Sequence, residues 1–201
     1  MASEQPASMI GDVPGAVDMS ELHRFSLDEY HQLIESGGLD EDMRVELIDG
    51  LIVEMSPKSP EHENVLAWLT ERLFDAVDRT RYQVRVASAL TLERSEPEPD
   101  LMVVSRDVPA RYHPSTATLV VEVSVSSLRR DLVRKHELYA RAGVLEYWVV
   151  DLDGRRVVVH QQPHDGAYQQ ITELRAGGAI ASQALPGVEV SVDELFATAG
   201  A

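Results

Sequence analysis

The chain has 201 residues, 44% apolar and 26% charged, proportions that suit one soluble domain with a core of its own. A net charge of −16 argues against a tight, sequence-indifferent nucleic-acid binder with a basic surface, although bound metal ions can supply the positive charge that a phosphate needs. No run approaches the ~20 apolar residues that span a bilayer, the start lacks the basic and apolar stretches of a secretory signal, and without cysteine there are no disulfides or thiolate metal sites, so a cytoplasmic protein with no membrane partner is expected.

Residues 1–22 mix Gly, Pro, Ser and acids without periodicity and read as a flexible tail ahead of a single domain over 23–198. Ser26 caps a helix from Leu27 to about Ser36, with Asp28 and Glu29 in its first turn and Gly37-Gly38 at its end. Val45–Ile48 and Leu51–Met55 flank Asp49-Gly50, a pair suited to a type I′ hairpin turn. A helix from about Glu61 to Val77 follows, with Val65, Leu66, Leu69, Leu73 and Ala76 at the 3.6-residue period. Strands are expected at Gln83–Ser88, Leu90–Leu92, Leu101–Val104 and Leu119–Val123. A helix then spans Leu128 to about Ala142, stopped by Gly143. Glu146–Leu152 and Arg155–His160 form a second hairpin around Asp153-Gly154, Tyr168–Leu174 is a further strand, and Val192–Phe196 a closing helix. This order predicts an α/β (α+β mixed) domain, a mixed sheet with helices packed on it rather than a regular βαβ series.

Glu122 lies in the apolar run Leu119-Val120-Val121-Glu122-Val123, as in a strand buried on both faces. A buried carboxylate must find a cation, a metal or a proton, and an arginine at the sheet end would serve as well as a catalytic partner. Asp100 follows Pro99 at a strand start, where an acid can enter a cleft without breaking the sheet. Of the 18 basic residues only Lys58 and Lys135 are lysines. On a helical wheel Lys135 sits among Leu128, Leu132, Leu138, Tyr139 and Ala142, so it either snorkels past the helix edge or points inward at Glu122. Two carboxylates and a lysine suit phosphodiester hydrolysis: the acids hold Mg²⁺, a hard cation, and the lysine steadies charge on the phosphoryl oxygens. Glu46 shares a strand face with Ile48 and is expected to point inward. His62 lies on the apolar helix stripe, either as a core histidine or as part of the site.

Several segments in order also carry a resemblance. They are Arg44-Val45-Glu46-Leu47-Ile48-Asp49-Gly50, Met55-Ser56-Pro57 with His62 shortly after, Glu96-Pro97-Glu98-Pro99-Asp100 and Val121-Glu122-Val123-Ser124. The set continues with Asp131, Lys135, Tyr139-Ala140-Arg141-Ala142-Gly143 and Glu146-Tyr147-Trp148-Val149-Val150-Asp151. Over about residues 24–162 the chain resembles the Uma2 type of restriction endonuclease, a branch of the PD-(D/E)XK nuclease superfamily. The resemblance implies a restriction-endonuclease-like core, with Asp100 and Glu122 as ligands of Mg²⁺ (Mn²⁺ as a substitute) and Glu46 assisting. In the superfamily the lysine commonly stands two residues after the glutamate, here Ser124, an accessory position. Members of this branch take the lysine from the following helix, where Lys135 fits.

The function expected is a metal-dependent endonuclease acting on DNA, with Arg129, Arg130 and Arg134 either contacting phosphates or forming a solvated helix face. One alternative is a catalytically silent relative used for binding or assembly, and another is an enzyme acting on RNA or a small phosphodiester. A homodimer is the arrangement that cutting both strands would call for.

Overall fold

Ser26 and Ser59 open the first two helices through the same local chemistry. The structure, a computed structural model, describes residues 21–40, 42–108 and 113–200, so the tail expected over 1–22 lies outside it save for its last two residues. The Ser26 hydroxyl accepts from the Glu29 N–H and the Glu29 carboxylate reaches back to the Ser26 N–H, a capping box that starts α1 (Leu27–Glu35). Ser59 accepts from the His62 N–H at the head of α2 (Pro60–Ala76), where Pro60 takes the first helical position and needs no N–H.

Between these helices β1 (Val45–Ile48) and β2 (Leu51–Glu54) pair as an antiparallel hairpin. Asp49 and Gly50 have φ of 48° and 78°, the two positive values that a type I′ turn demands. A Cβ on Gly50 would stand 2.8 Å from the Arg24 Cβ and 2.9 Å from the Phe25 carbonyl oxygen, so the chain entering α1 can cross the turn only over a glycine.

The main sheet runs β3 (Tyr82–Val86), β4 (Leu101–Ser105), β5 (Leu119–Ser124), β6 (Glu146–Asp151), β7 (Arg156–His164), β8 (Ala167–Leu174), each beside the next. All pairs are antiparallel except β5 with β6. That parallel pair requires a crossover, which is helical: α3 (Leu128–Arg130), a π-helical turn (Asp131–Lys135) and α4 (His136–Arg141). β9 (Ala179–Ala181) and β10 (Glu189–Ser191) form a small ribbon that delivers the chain to α5 (Val192–Ala199).

Strand alternation sorts two cores. Leu119, Val121, Val123, Trp148 and Val150 pack with α2 and α5 on one face of the sheet. Val120, Tyr147 and Val149 pack with Leu138 and Tyr139 of α4 and with Ile48 of the hairpin on the other. Among the described residues no helix is long and apolar enough to cross a membrane.

Several expectations need correction. Leu90–Leu92 is no strand: Ala87 turns the chain with φ 42°, Pro97 and Pro99 lack the N–H a ladder needs, and Leu90 and Leu92 are buried under an irregular connection. The crossover helix is not uniformly α. The second hairpin has no two-residue turn at Asp153-Gly154, because Asp151 pairs with Arg156 and four residues close the loop with Arg155 at φ 45°. β7 runs on past His160 and through Pro163 to a true two-residue turn at Asp165-Gly166 with φ of 49° and 77°. The β9–β10 ribbon had no strand expected in it.

Candidate active site

Alternation along β5 sends Val120, Glu122 and Ser124 toward the crossover helix, so Glu122 is the acid that the apolar strand carries inward. It is only 5% exposed, and its Oε1 accepts from Lys135 Nζ at 2.9 Å and from the Tyr139 hydroxyl at 2.8 Å. Lys135 Nζ also lies 3.0 Å from Glu46 Oε2, which brings β1 into the same cluster. Glu46 Oε2 accepts the Glu98 N–H at 3.4 Å, and Arg130 Nε stands 3.7 Å from Glu46 Oε1.

Asp100 arrives from the other side. In the β4–β5 register Leu101 stands opposite Val121, so Asp100 and then Pro99 would follow, opposite Glu122 and Val123. The ladder ends there, and the Val123 N–H is taken by Asp100 Oδ2 at 3.0 Å instead. The same oxygen accepts from His62 Nε2 at 3.0 Å, while Oδ1 faces Lys58 Nζ at 3.5 Å.

The π turn supplies a third buried acid. Its wide ring, closed by the His136 N–H to the Asp131 carbonyl, leaves both Asp131 and Lys135 2% exposed. Asp131 Oδ2 accepts from the Ser124 and Ser127 hydroxyls, each at 2.6 Å. The Tyr147 hydroxyl, rising from β6, donates to the Asp131 carbonyl at 3.2 Å and so gives this carbonyl of the irregular turn a second partner.

Negative charge is in excess here. Burial, opposed by Lys135 and reinforced by Asp131, Asp100 and Glu46, pushes the Glu122 carboxyl up to about 8. Burial presses on Lys135 too, but Glu122, Glu46 and Asp131 outweigh it and hold the ammonium charged. Asp100 goes the other way: burial would raise it, yet the His62 hydrogen bond and charge, the Val123 N–H and Lys58 together keep it below the usual carboxylate range.

These residues fit a hard divalent cation. Asp100, Glu122 and Glu46 line one narrow cleft of about 40 Å³, enough for an ion and a water or two at ~10–15 Å³ each. Among the described residues Glu46 Oε1 and Asp131 Oδ1 are buried without a hydrogen-bond partner, and Lys58 Nζ is the one cation within ion-pair distance of Asp100 Oδ1. Among the described residues no three acids or histidines form a ready cage. Mg²⁺ does not ask for one, since it commonly takes one or two carboxylates and keeps its waters.

The structure thus brings Asp100, Glu122, Lys135, Glu46 and His62 into one cleft. Ser124 lies beside it, bonded to Asp131 and not to Lys135. Arg130 is turned in, donating to the Glu54 carbonyl at 3.0 Å, whereas Arg129 and Arg134 are exposed on the helix. Sequence reading did not single out Asp131, Tyr139 or Lys58 as site groups. Asp131 is four residues before Lys135, so the same helical wheel held it, but no pattern in the loop before α2 marked Lys58. A larger open cavity of about 700 Å³, lined by Arg24, Asp49, Arg94 and Arg141 among others, contains none of the buried acids.

A mixed sheet clad with helices, with acids at adjoining strand ends, is the architecture of restriction-endonuclease-like nucleases. The family model for Uma2, described as "Putative restriction endonuclease", matches residues 27–193, and the chain belongs to that family. A crystal structure from Anabaena variabilis ATCC 29413, described as "a putative nuclease belonging to DUF820", shares the fold with a TM-score of 0.74 at 15% identity, over 87% of this chain and 99% of that one. The type IIG restriction endonuclease BpuSI aligns with a TM-score of 0.41 and 18% identity over 69% of this chain and 15% of its own. No curated protein matches the sequence.

Proposed function

We propose that this protein is a Mg²⁺-dependent endonuclease that hydrolyses phosphodiester bonds in DNA. The observation that carries the reading is the convergence of Asp100 and Glu122 on one cleft with a buried lysine held between Glu122 and Glu46 at 2.9 and 3.0 Å. Asp100 Oδ1 and the Glu122 carboxylate would hold the cation. Bound there, Mg²⁺ (or Mn²⁺) would supply positive charge for the scissile phosphate and acidify a water.

The chain's own residues account for the rest. Lys135 keeps its proton and offers an ammonium to the charge that grows on the phosphoryl oxygens, or to the attacking water. Glu46 fixes that ammonium from behind, so little reorganisation is needed when charge develops. His62 and the Val123 N–H fix Asp100 Oδ2 and thereby aim Oδ1 into the cleft. Exposed Arg129 and Arg134 would meet the DNA backbone beside it.

Supercoiled plasmid incubated with the purified protein and Mg²⁺ or Mn²⁺ should be nicked. Glu122→Gln and Lys135→Met should each lower the rate by about 10²–10³-fold, the usual cost of removing one group that stabilises transition-state charge. Equal nicking by all three proteins would assign the activity to a contaminant. Metal binding without nicking would favour the second reading, a silent relative, which the commitment of Lys135 to two carboxylates and the acidic surface support.

A further inference from the structure

The chain has two lysines, and both end on carboxylates of this cleft. Lys135 is enclosed, with its side chain 3% exposed and donors directed at two acids. Lys58 is different. It stands in the irregular segment between β2 and α2, its side chain is 22% exposed, and its Nζ is 3.5 Å from Asp100 Oδ1.

Asp100 has one oxygen to spare. Oδ2 is saturated by His62 Nε2 and the Val123 N–H, both at 3.0 Å, and both come from regular elements that cannot easily withdraw. Oδ1 is therefore the atom that an incoming cation must use, and Lys58 stands at it. Two positive charges cannot share that oxygen at contact distance without strong repulsion. Lys58 has a flexible four-carbon stem, a loop backbone and a partly solvated head, so it is the partner that can leave.

The geometry points to Lys58 as a tethered counter-ion that holds Asp100 Oδ1 in the metal-free protein and is displaced by the divalent cation, setting a ceiling on metal affinity. Its ammonium then stays at the rim of the cleft, where a phosphate would arrive. This inference rests on the proposed metal site, and it makes a prediction about binding that needs no substrate and no turnover.

The test is a Mn²⁺ titration of the full chain without DNA, by calorimetry or by the electron paramagnetic resonance signal of free Mn²⁺. Wild type, Lys58→Met, Lys58→Arg and Asp100→Asn are compared. Lys58→Met removes the competing charge and should bind Mn²⁺ roughly two- to fivefold tighter, the size expected for a partly solvated ion pair. Lys58→Arg keeps the charge and should remain near wild type, and Asp100→Asn should lose most of the binding. If Lys58→Met binds no tighter than wild type, or if Lys58→Arg tightens binding as much, Lys58 is not a competitor although the metal site stands. If neither wild type nor Lys58→Met binds Mn²⁺, the metal reading and this inference fall together.

Discussion

An ammonium fits between Glu122 and Glu46 where a guanidinium would not. Lys135 presents compact donors to two carboxylates at 2.9 and 3.0 Å, whereas arginine's planar fork is built to grip one carboxylate in its own plane. That is a physical reason for a lysine here in a chain whose other basic residues, Lys58 apart, are all arginines. Another buried group ties stability to pH away from the cleft. His160 is 2% exposed, packs against Tyr147 and His136 rings, and has its pKa pushed down to about 4 by burial, against the hydrogen bond from Nδ1 to the Tyr147 carbonyl. A histidine depressed in this way favours the fold fully above its unfolded value near 6.5, and the benefit is lost as pH falls through about 4. The loss is on the order of 3 kcal/mol, at ~1.4 kcal/mol for each pKa unit. Urea unfolding of wild type across this range should therefore show a steep acid decline, and His160→Gln a shallower one. Parallel curves for the two proteins would remove His160 from the acid limb.

At the scale of elements, the π turn decides how the crossover helix meets the sheet. Its Asp131 carbonyl accepts the His136 N–H and also the Tyr147 hydroxyl at 3.2 Å, a partner buried in the floor of the sheet. Tyr147→Phe removes that donor while keeping the ring packed on Tyr139 and His160. The expected cost is about 1 kcal/mol in thermal unfolding, the net value of one hydrogen bond. Because Lys135 belongs to the same turn, the proposed nicking activity should fall several-fold at temperatures where the variant is fully folded. Unchanged nicking with lowered stability would make Tyr147 a structural group alone. The irregularity of this turn was not legible in the sequence, since an apolar stripe with period 3.6 survives one wide turn. What was legible had strong local causes: the Ser26 helix cap, the Asp49-Gly50 turn and the single acid in an apolar strand. Lys58 was invisible for the opposite reason. It reaches Asp100 from an irregular loop, where no periodicity tells a side chain's direction. The ribbon β9–β10 escaped because strands of three residues carry too little pattern to stand out.

For the whole molecule the governing quantity is the charge of −16, which the proposed action on DNA must overcome. Among the described residues the accessible cations at or near the cleft are Arg44 and Lys58 on its lining and Arg129 and Arg134 on the crossover helix, since Arg130 is turned toward Glu46 and Glu54. So few contacts would release few counterions, and the field of the molecule opposes approach by a polyanion. On the proposed reading, a cation held by Asp100 and Glu122 should then do most of the electrostatic work of holding the phosphate. Binding of a short duplex, followed by fluorescence anisotropy, should be undetectable in EDTA and appear with Ca²⁺, a hard cation that takes oxygen ligands. The logarithm of affinity should fall with the logarithm of salt at a slope of about −2 to −4, close to 0.9 for each of two to four neutralised phosphates. A basic-surface binder would behave otherwise, with tight complexes in EDTA and a slope several times steeper. If that were found, the DNA would be docking on some other face, and the acidic cleft would not be where the backbone is held. Metal-dependent binding with a shallow slope would place the phosphate at Asp100 and Glu122, and substituting Asp100→Asn should then abolish the complex as completely as EDTA does.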